Sequence, residues 1–169
     1  MSASTTEPQS IHLVQLCSTV TLGLLFGSTG LASFAVVPSL IAAPISTWAK
    51  LSVFNGLIVR ANKTMPPIFL AAGGFMGYLT YQAYRSTGVI VGLRNLYPVS
   101  ILAMVMSLAL QTKIVPKNTE MQQILLKGEG KEDDGAEGNR RLGEFSRKSW
   151  ARVALSFTAF VCALAGMTS

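Results

Sequence analysis

The chain has 169 residues, of which 50% are hydrophobic and 13% charged, with a formal net charge of +6 and a mean hydropathy of +0.43. Soluble domains carry about 25% charged residues. The composition therefore excludes an ordinary soluble domain and, because disorder requires low hydrophobicity, a largely disordered chain. The basic residues flank apolar runs and do not alternate with aromatic residues, which argues against nucleic-acid binding. We predict an integral membrane protein.

The first apolar run, residues 8–49, contains 42 residues without a formal charge. About 20 apolar helical residues cross a bilayer, so we expect a first span at about 13–37. Pro38 and Pro44 are expected to end this helix, which leaves residues 39–60 as a connecting segment that an interfacial helix could occupy. The alternative is a two-helix hairpin within the same run, but the run offers no polar turn.

Three further runs are long and apolar enough to span a membrane. They are expected at about 65–84, which is entered through two prolines at the helix start, at about 96–115 and at about 150–167. Residues 1–12 read as a polar tail, without the basic start of a cleaved signal peptide. The sequence thus predicts an all-α fold, an integral membrane four-helix bundle formed by residues 13–169.

The basic residues predict the orientation of this bundle. The first and third loops share one side of the membrane and hold 12 of the 14 lysines and arginines, so that side is expected to be cytoplasmic, with both termini opposite. Within the third loop, the stretch 127–141 (KGEGKEDDGAEGNRR) contains nine charged residues and four glycines. This composition is typical of a mobile, solvated loop.

Two pairs of glycines are spaced four residues apart, Gly23 with Gly27 and Gly73 with Gly77. This spacing places both glycines of a pair on one helix face, where another helix backbone can approach closely in lipid. The pattern is compatible with packing inside the bundle or with the seam of a homodimer, and the sequence does not decide between them.

Tyrosines recur every third residue at the end of the second predicted span, at Tyr78, Tyr81 and Tyr84. An aromatic belt at the membrane interface accounts for this placement. The alternative is that Tyr78 and Tyr81 line a binding pocket for an aromatic ligand.

A polar group precedes the third predicted span, formed by Arg94, Asn95 and Tyr97. Polar side chains at membrane depth are costly and are often functional, although these three could also reach the headgroup level. All eight acidic residues lie outside the predicted spans, so the buried carboxylate that proton-coupled carriers commonly use is missing. Neither a catalytic triad nor a phosphate-binding glycine loop is evident, and the single histidine, His12, cannot form a histidine-rich metal site.

The chain resembles the fungal anthrone oxygenases, which are small four-helix membrane proteins of polyketide pathways. The likeness covers most of the chain and is carried by the following segments: GLLFGSTGLASFAVVPSL in the first span, Trp48 followed by Phe54-Asn55-Gly56, the element Pro116-Lys117-Asn118-Thr119-Glu120-Met121, and Arg152. The chain differs from the family pattern at two positions. Phe145 stands where the family often has tryptophan, and Ser149 stands where it often has asparagine or histidine.

The resemblance implies a membrane-bound oxygenase that converts an anthrone to an anthraquinone with molecular oxygen as co-substrate and without metal, flavin or other cofactor. An anthrone is acidic because loss of a proton gives an aromatic enolate, which can react directly with oxygen, so the protein needs to supply a base, an oxyanion partner and an apolar pocket. The implied roles are His12 as base, Trp48 as a stacking wall and three oxyanion partners, namely Tyr97, Asn118 and Arg152.

The implied partners are membrane lipid and a small aromatic polyketide, and the implied location is an endomembrane, either the endoplasmic reticulum or a vesicle. An alternative from another class is a non-catalytic membrane scaffold or accessory protein. The absence of recognisable catalytic motifs and the departures at Phe145 and Ser149 favour that alternative.

Overall fold

The computed structural model describes residues 6–85 and 96–168, and this part of the chain is helical with no strand. The elements are α1 (Thr6–Leu31), a π-helical turn (Ala32–Val36), α2 (Val37–Ala42), α3 (Thr47–Arg85), α4 (Leu96–Lys127) and α5 (Ala136–Thr168). Because α1, the π-helical turn and α2 follow one another without a break, they form one rod, and the described chain is a set of four rods.

Three of these rods are long and apolar enough to cross a membrane, over Gln9–Ala42, Leu96–Lys127 and Ala136–Met167. Together they indicate an integral membrane protein, as the composition predicts. The remaining rod, α3, is not among them. Its uncharged half, residues 64–84, contains two prolines, three glycines and three tyrosines, which lower its hydropathy. A fourth span at 65–84 is therefore not shown by hydropathy.

Pro44 lies in the break between α2, which ends at Ala42, and α3, as predicted, but the other prolines do not mark the predicted helix boundaries. Pro38 lies in the first turn of α2, directly after the π-helical turn, where the helical hydrogen-bond pattern changes. The first rod therefore continues to Ala42 and does not end at about residue 37. Pro66 and Pro67 lie inside α3, which begins at Thr47. The predicted connecting segment 39–60 is therefore mostly helix.

The first predicted span is also longer than expected at its other end, because α1 begins at Thr6 and includes His12. Much of the predicted tail 1–12 is thus helical. Likewise α4 continues through Pro116 to Lys127, well beyond the predicted end at about 115. The fourth helix begins at Ala136, fourteen residues before the predicted start of its span.

The predicted mobile loop is ordered by hydrogen bonds between the segment that follows α4 and the start of α3, and we call this region the junction. The Asp133 carboxylate accepts a hydrogen bond of 2.7 Å from the Thr47 backbone N–H, at the positive end of the α3 dipole. Thr47 Oγ1 in turn accepts one of 2.9 Å from the Gly138 backbone. Lys50 is 2% exposed and donates to Asn139 Oδ1 at 2.6 Å. These contacts between distant segments are invisible to composition, which is why the sequence suggested mobility.

The four rods run alternately up and down and enclose two apolar cores. The tyrosine core contains Leu22, Leu25, Ala72, Met76, Leu79, Ala83, Tyr97, Ala103, Met104, Ala159 and Ala163. The junction core contains Val37, Leu40, Leu51, Phe54, Ile58, Ile114, Met121, Leu142 and Phe145. The second core lies beside the junction, so the two ends of the bundle are stabilised separately.

Candidate functional site

A cavity of about 610 Å³ opens between the two cores, and all four rods contribute to its wall. This volume falls within the range of small-molecule sites, about 300–1,000 Å³. The wall is mainly apolar and includes Phe54, Leu57, Ile58, Met65 and Phe69 from α3. Phe54 packs edge-on against Phe145 of α5, with ring centroids 4.7 Å apart. The site is therefore suited to a flat or elongated apolar ligand.

Polar atoms without partners mark the cavity. Within the described residues, four buried side-chain nitrogen or oxygen atoms have no hydrogen-bond partner: Ser33 Oγ, Gln111 Oε1, Asn118 Oδ1 and Arg152 Nε. All four residues line the cavity. Because an unsatisfied buried polar atom costs about 1–3 kcal/mol, their convergence on one space indicates groups arranged for a ligand.

Ser33 reaches the cavity from the π-helical turn. Turns of this kind are rare and frequently occur at functional sites. A serine in a regular helix commonly returns its hydroxyl to a carbonyl of the preceding turn, as Ser28 does with Leu25 at 3.0 Å. Ser33 is 3% exposed and makes no such bond, so its hydroxyl is free for a ligand.

The depth of each polar group follows from the antiparallel pairing of α4 with α5. The hydroxyls of Ser107 and Ser156 lie 3.5 Å apart. Four residues further along each helix, towards the junction, come Gln111 on α4 and Arg152 on α5, so these two lie at one level. We call this the arginine tier. Ser33 is close to the same level, because its neighbour Phe34 contacts Trp150 with ring centroids 4.5 Å apart.

Asn118 lies nearer the junction. Its neighbour Lys117 forms an ion pair of 3.7 Å with Glu144 on α5, which places Asn118 beside Phe145. At 1.5 Å per residue, seven residues separate Asn118 from Gln111 by roughly 10 Å along α4. We call this level the asparagine tier. The cavity thus has two polar tiers, and the wall between them also includes the Ser149 hydroxyl.

The positions at which the sequence departs from the oxygenase pattern also face this space. Phe145 and Ser149 both line the cavity and both are buried. The chain therefore keeps Arg152 and Asn118 in the wall but presents a smaller aromatic ring and a hydroxyl at the two altered positions.

His12 and Tyr97 belong to a different place, the tyrosine cluster, formed by His12, Gln15, Tyr97 and Gly166. Tyr97 is 2% exposed and its hydroxyl donates to the Gly166 carbonyl at 3.1 Å. Gln15 donates to the same hydroxyl at 3.0 Å, and His12 Nδ1 lies 3.1 Å from Gln15 Oε1. Fourteen residues of α4 separate Tyr97 from the arginine tier, which is roughly 21 Å. His12 and Tyr97 therefore cannot serve the same reacting centre as Arg152.

The aromatic residues predicted to bind substrate also lie outside the cavity wall. Trp48 donates to the Leu125 carbonyl at 3.4 Å and lies under the Lys131 ammonium, so it belongs to the junction. Tyr78, Tyr81 and Tyr84 point outwards and are 40%, 60% and 59% exposed. None of the three lines the cavity, and the aromatic belt stays a prediction. Arg94 and Asn95, of the predicted polar group, lie outside the described residues.

Ser33 and Gln111 are cavity residues that the sequence patterns did not predict. Gln111 carried a usable signal, because it is a long polar side chain inside an uncharged predicted span. Ser33 carried none, since its exposure to the cavity depends on the π-helical turn. Among the described residues no group of three histidine, cysteine, aspartate or glutamate side chains is placed to hold a metal ion.

Comparison with known proteins finds no matching family model, curated protein or solved structure. The resemblance to anthrone oxygenases therefore stays a prediction, and the functional argument depends on the cavity.

Proposed function

We propose that the protein is a membrane-bound oxygenase that binds an anthrone-type polyketide in the cavity and converts it to an anthraquinone. The observation that carries the proposal is the Arg152 side chain, whose Nε is buried at the cavity wall without a partner. The described wall contains no carboxylate to neutralise it. A guanidinium in an apolar site favours an anionic oxygen, because charge–charge attraction strengthens where water is excluded.

The proposed reaction balances in atoms and electrons with anthrone and O₂ as the reactants. The central methylene of the anthrone loses both hydrogens and gains one oxygen atom of O₂, and the second oxygen atom leaves as water. The first step is loss of a proton to give the enolate, whose negative oxygen Arg152 would stabilise. The enolate carbon then supplies the electrons that reduce oxygen, so turnover requires no added flavin, nicotinamide or metal.

The base in this proposal differs from the one that the resemblance implies. His12 lies at the tyrosine cluster and is excluded by distance. The wall offers no other side chain that titrates near neutral pH. We propose that solvent accepts the proton, and that Arg152 makes this transfer favourable by lowering the pKa of the bound substrate.

The proposal also includes α3 as a fourth membrane span, which would complete a four-helix membrane bundle in an endomembrane. Two features support it. The helix packs against both α1 and α4, and its outer face presents large aromatic side chains such as Tyr81, which is 60% exposed.

The test is turnover of anthrone by the purified protein in detergent or nanodiscs, followed by anthraquinone absorbance and oxygen consumption. Arg152→Met should lower kcat/KM by about 10²–10³-fold, the usual cost of losing one oxyanion donor. The matched control is Arg147→Met, since Arg147 is an exposed arginine on the same helix and does not line the cavity. Equal rates in the two variants would remove Arg152 from the mechanism.

Two further measurements sharpen the assay. His12→Ala should leave turnover unchanged, because its side chain is remote from the cavity; a loss on the scale of a missing general base, about 10²–10⁴-fold, would contradict the geometry. Chelators should also leave the rate unchanged. A rate abolished by chelation and restored by a metal ion would overturn the cofactor-free reaction.

The second candidate is a non-catalytic membrane scaffold. It is favoured by the outer face of α3, where no atom lies within 4 Å of an added Cβ at Gly73 or Gly77, which leaves room for another helix, including that of a second copy. Gly23, in contrast, already packs against Phe160. A deletion strain that accumulates a reduced aromatic intermediate supports the enzyme, whereas mislocalised partners with normal metabolites support the scaffold.

A further inference from the structure

We infer that Asn118 is a specificity-determining residue that recognises the far end of a two-ended ligand. The inference rests on the proposed function and concerns the same cavity. The resemblance implies that Asn118 contacts the same oxyanion as Arg152. Here Asn118 instead forms a separate subsite. The ligand class is then an apolar polycyclic molecule with an ionisable oxygen at the arginine tier and a hydroxyl group on the ring nearer the junction.

The first step is the distance between the tiers. Arg152 and Gln111 share one level, and Asn118 lies roughly 10 Å nearer the junction. A single oxyanion cannot contact both tiers, because hydrogen bonds require donor–acceptor distances of about 3 Å. A tricyclic ligand whose central-ring oxygen contacts Arg152 must therefore carry a hydroxyl group on a terminal ring to reach Asn118.

The second step is the chemistry at each end. Arg152 Nε is a donor without an acceptor, whereas Asn118 Oδ1 is an acceptor without a donor. At the arginine tier, Arg152 Nε takes an anionic or carbonyl oxygen and Gln111 Oε1 accepts from a donor, whereas the asparagine tier offers Asn118 Oδ1 as an acceptor for an O–H group. The wall between the tiers contains apolar side chains such as Ile114 together with polar ones, among them Asn62 and Ser149. A site that leaves a polar group unpaired discriminates against the ligand that lacks the matching group.

The third step is the place of Asn118 in the chain. It follows Lys117, which pairs with Glu120 and Glu144 at 3.0 and 3.7 Å. The pair with Glu144 links that turn of α4 to α5, so the Asn118 side chain is positioned at the cavity wall by its neighbours. Asn118 Oδ1 makes no hydrogen bond within the protein, so it is free to accept one from a ligand.

The experiment compares two stable probes by titration of their absorbance. One is 2-hydroxyanthraquinone, the two-ended probe, which has central-ring oxygens and one hydroxyl group on a terminal ring, and the other is anthraquinone, which lacks the hydroxyl group. Wild type should bind the two-ended probe about 10-fold more tightly, which corresponds to about 1.4 kcal/mol. In Asn118→Leu this preference should fall to about one. Thr119→Val, an exposed neighbouring position, should keep it.

The outcomes separate this inference from the proposed function. Equal affinity of wild type for the two probes overturns the inference without any variant, so a variant that fails to fold does not protect it. If both probes then bind and Arg152→Met weakens both, the proposed site survives. If neither probe binds wild type, both proposals fail. A preference that persists in Asn118→Leu assigns the hydroxyl group to another residue and overturns the inference.

Discussion

The tyrosine cluster and the cavity both bring polar groups into the bundle, and they differ in how those groups are satisfied. In the tyrosine cluster, the hydroxyl of Tyr97, the amide of Gln15 and the carbonyl of Gly166 bond to one another within 3.3 Å. At the cavity, two polar residues of comparable sequence context, Gln111 and Asn118, keep atoms without partners. Depth in the bundle does not explain the contrast, because both regions lie between packed helices.

The difference teaches how function can be separated from stability within one bundle. A complete hydrogen-bond network strengthens a particular packing and leaves nothing for a ligand. Incomplete networks are costly to the folded protein and are retained where a ligand completes them. The tyrosine cluster is therefore best understood as structural, although the resemblance placed two catalytic residues there, and the cavity as the place of binding.

The largest expected effect on stability comes from Gly166. A Cβ at this position would lie 2.7 Å from Cε1 of the buried Tyr97 ring, and that ring cannot move without breaking its hydrogen bonds. Gly166→Ala should lower the free energy of unfolding by about 1–3 kcal/mol, the usual cost of overpacking. The measurement is thermal unfolding in detergent, followed by circular dichroism.

Gly143 provides the matched control on the same helix, since no atom lies within 4 Å of its added Cβ. Gly143→Ala should raise stability by about 0.5–1 kcal/mol, because alanine favours the helix. If Gly166→Ala is as stable as Gly143→Ala, the tyrosine cluster is loosely packed and the comparison between the two regions fails.

Removing one polar atom from each region should have opposite effects. Tyr97→Phe deletes a hydroxyl with two partners and should lower stability by about 1 kcal/mol, whereas Ser33→Ala deletes a buried hydroxyl with none and should raise it by a similar amount. Ser52→Ala, in α3 outside the cavity, measures the contribution of helix propensity alone. Equal signs for Tyr97→Phe and Ser33→Ala, after this correction, would show that the two regions do not differ.

Much of the fold could be predicted from the sequence. Uncharged runs indicate which three helices are long and apolar enough to cross a membrane, because hydropathy is a local property. Pro44 marks the end of the first rod as predicted, but Pro38 is accommodated at the start of α2, and Pro66 and Pro67 lie within α3. The order of the junction also escaped prediction, since Asp133 and Gly138 acquire their partners at Thr47, far away in the chain.

Some residues of the candidate site could be predicted from the sequence and others could not. Arg152 and Asn118 were predicted and both line the cavity, whereas His12 and Tyr97 lie at the other end of the bundle. Residue types alone cannot give the depth of a side chain. That depth follows from which residues face one another in the antiparallel helix pairs, and a pair such as Ser107 with Ser156 becomes visible only in the folded protein.

The smallest expected effect is the dependence of the junction's protease sensitivity on pH. The junction lies at the same end of the bundle as the cavity, and the tyrosine cluster lies at the other end. Hydrogen bonds from the Thr47 side chain and from backbone N–H groups hold the pKa of the Asp133 carboxyl below its usual value of 3.8. A lowered pKa in the folded protein means that this carboxylate stabilises the junction above its ordinary pKa, and that the contribution is lost as pH falls through the lowered value. Residues 128–135 should therefore become sensitive to an acid-active protease below about pH 4, while the tyrosine cluster stays protected.

Asp133→Asn keeps an acceptor oxygen but no titrating charge, so its cleavage should vary less with pH, and Asp134→Asn serves as the neighbouring control. Cleavage of wild type and Asp133→Asn with the same pH profile would show that the charge of Asp133 does not hold the junction.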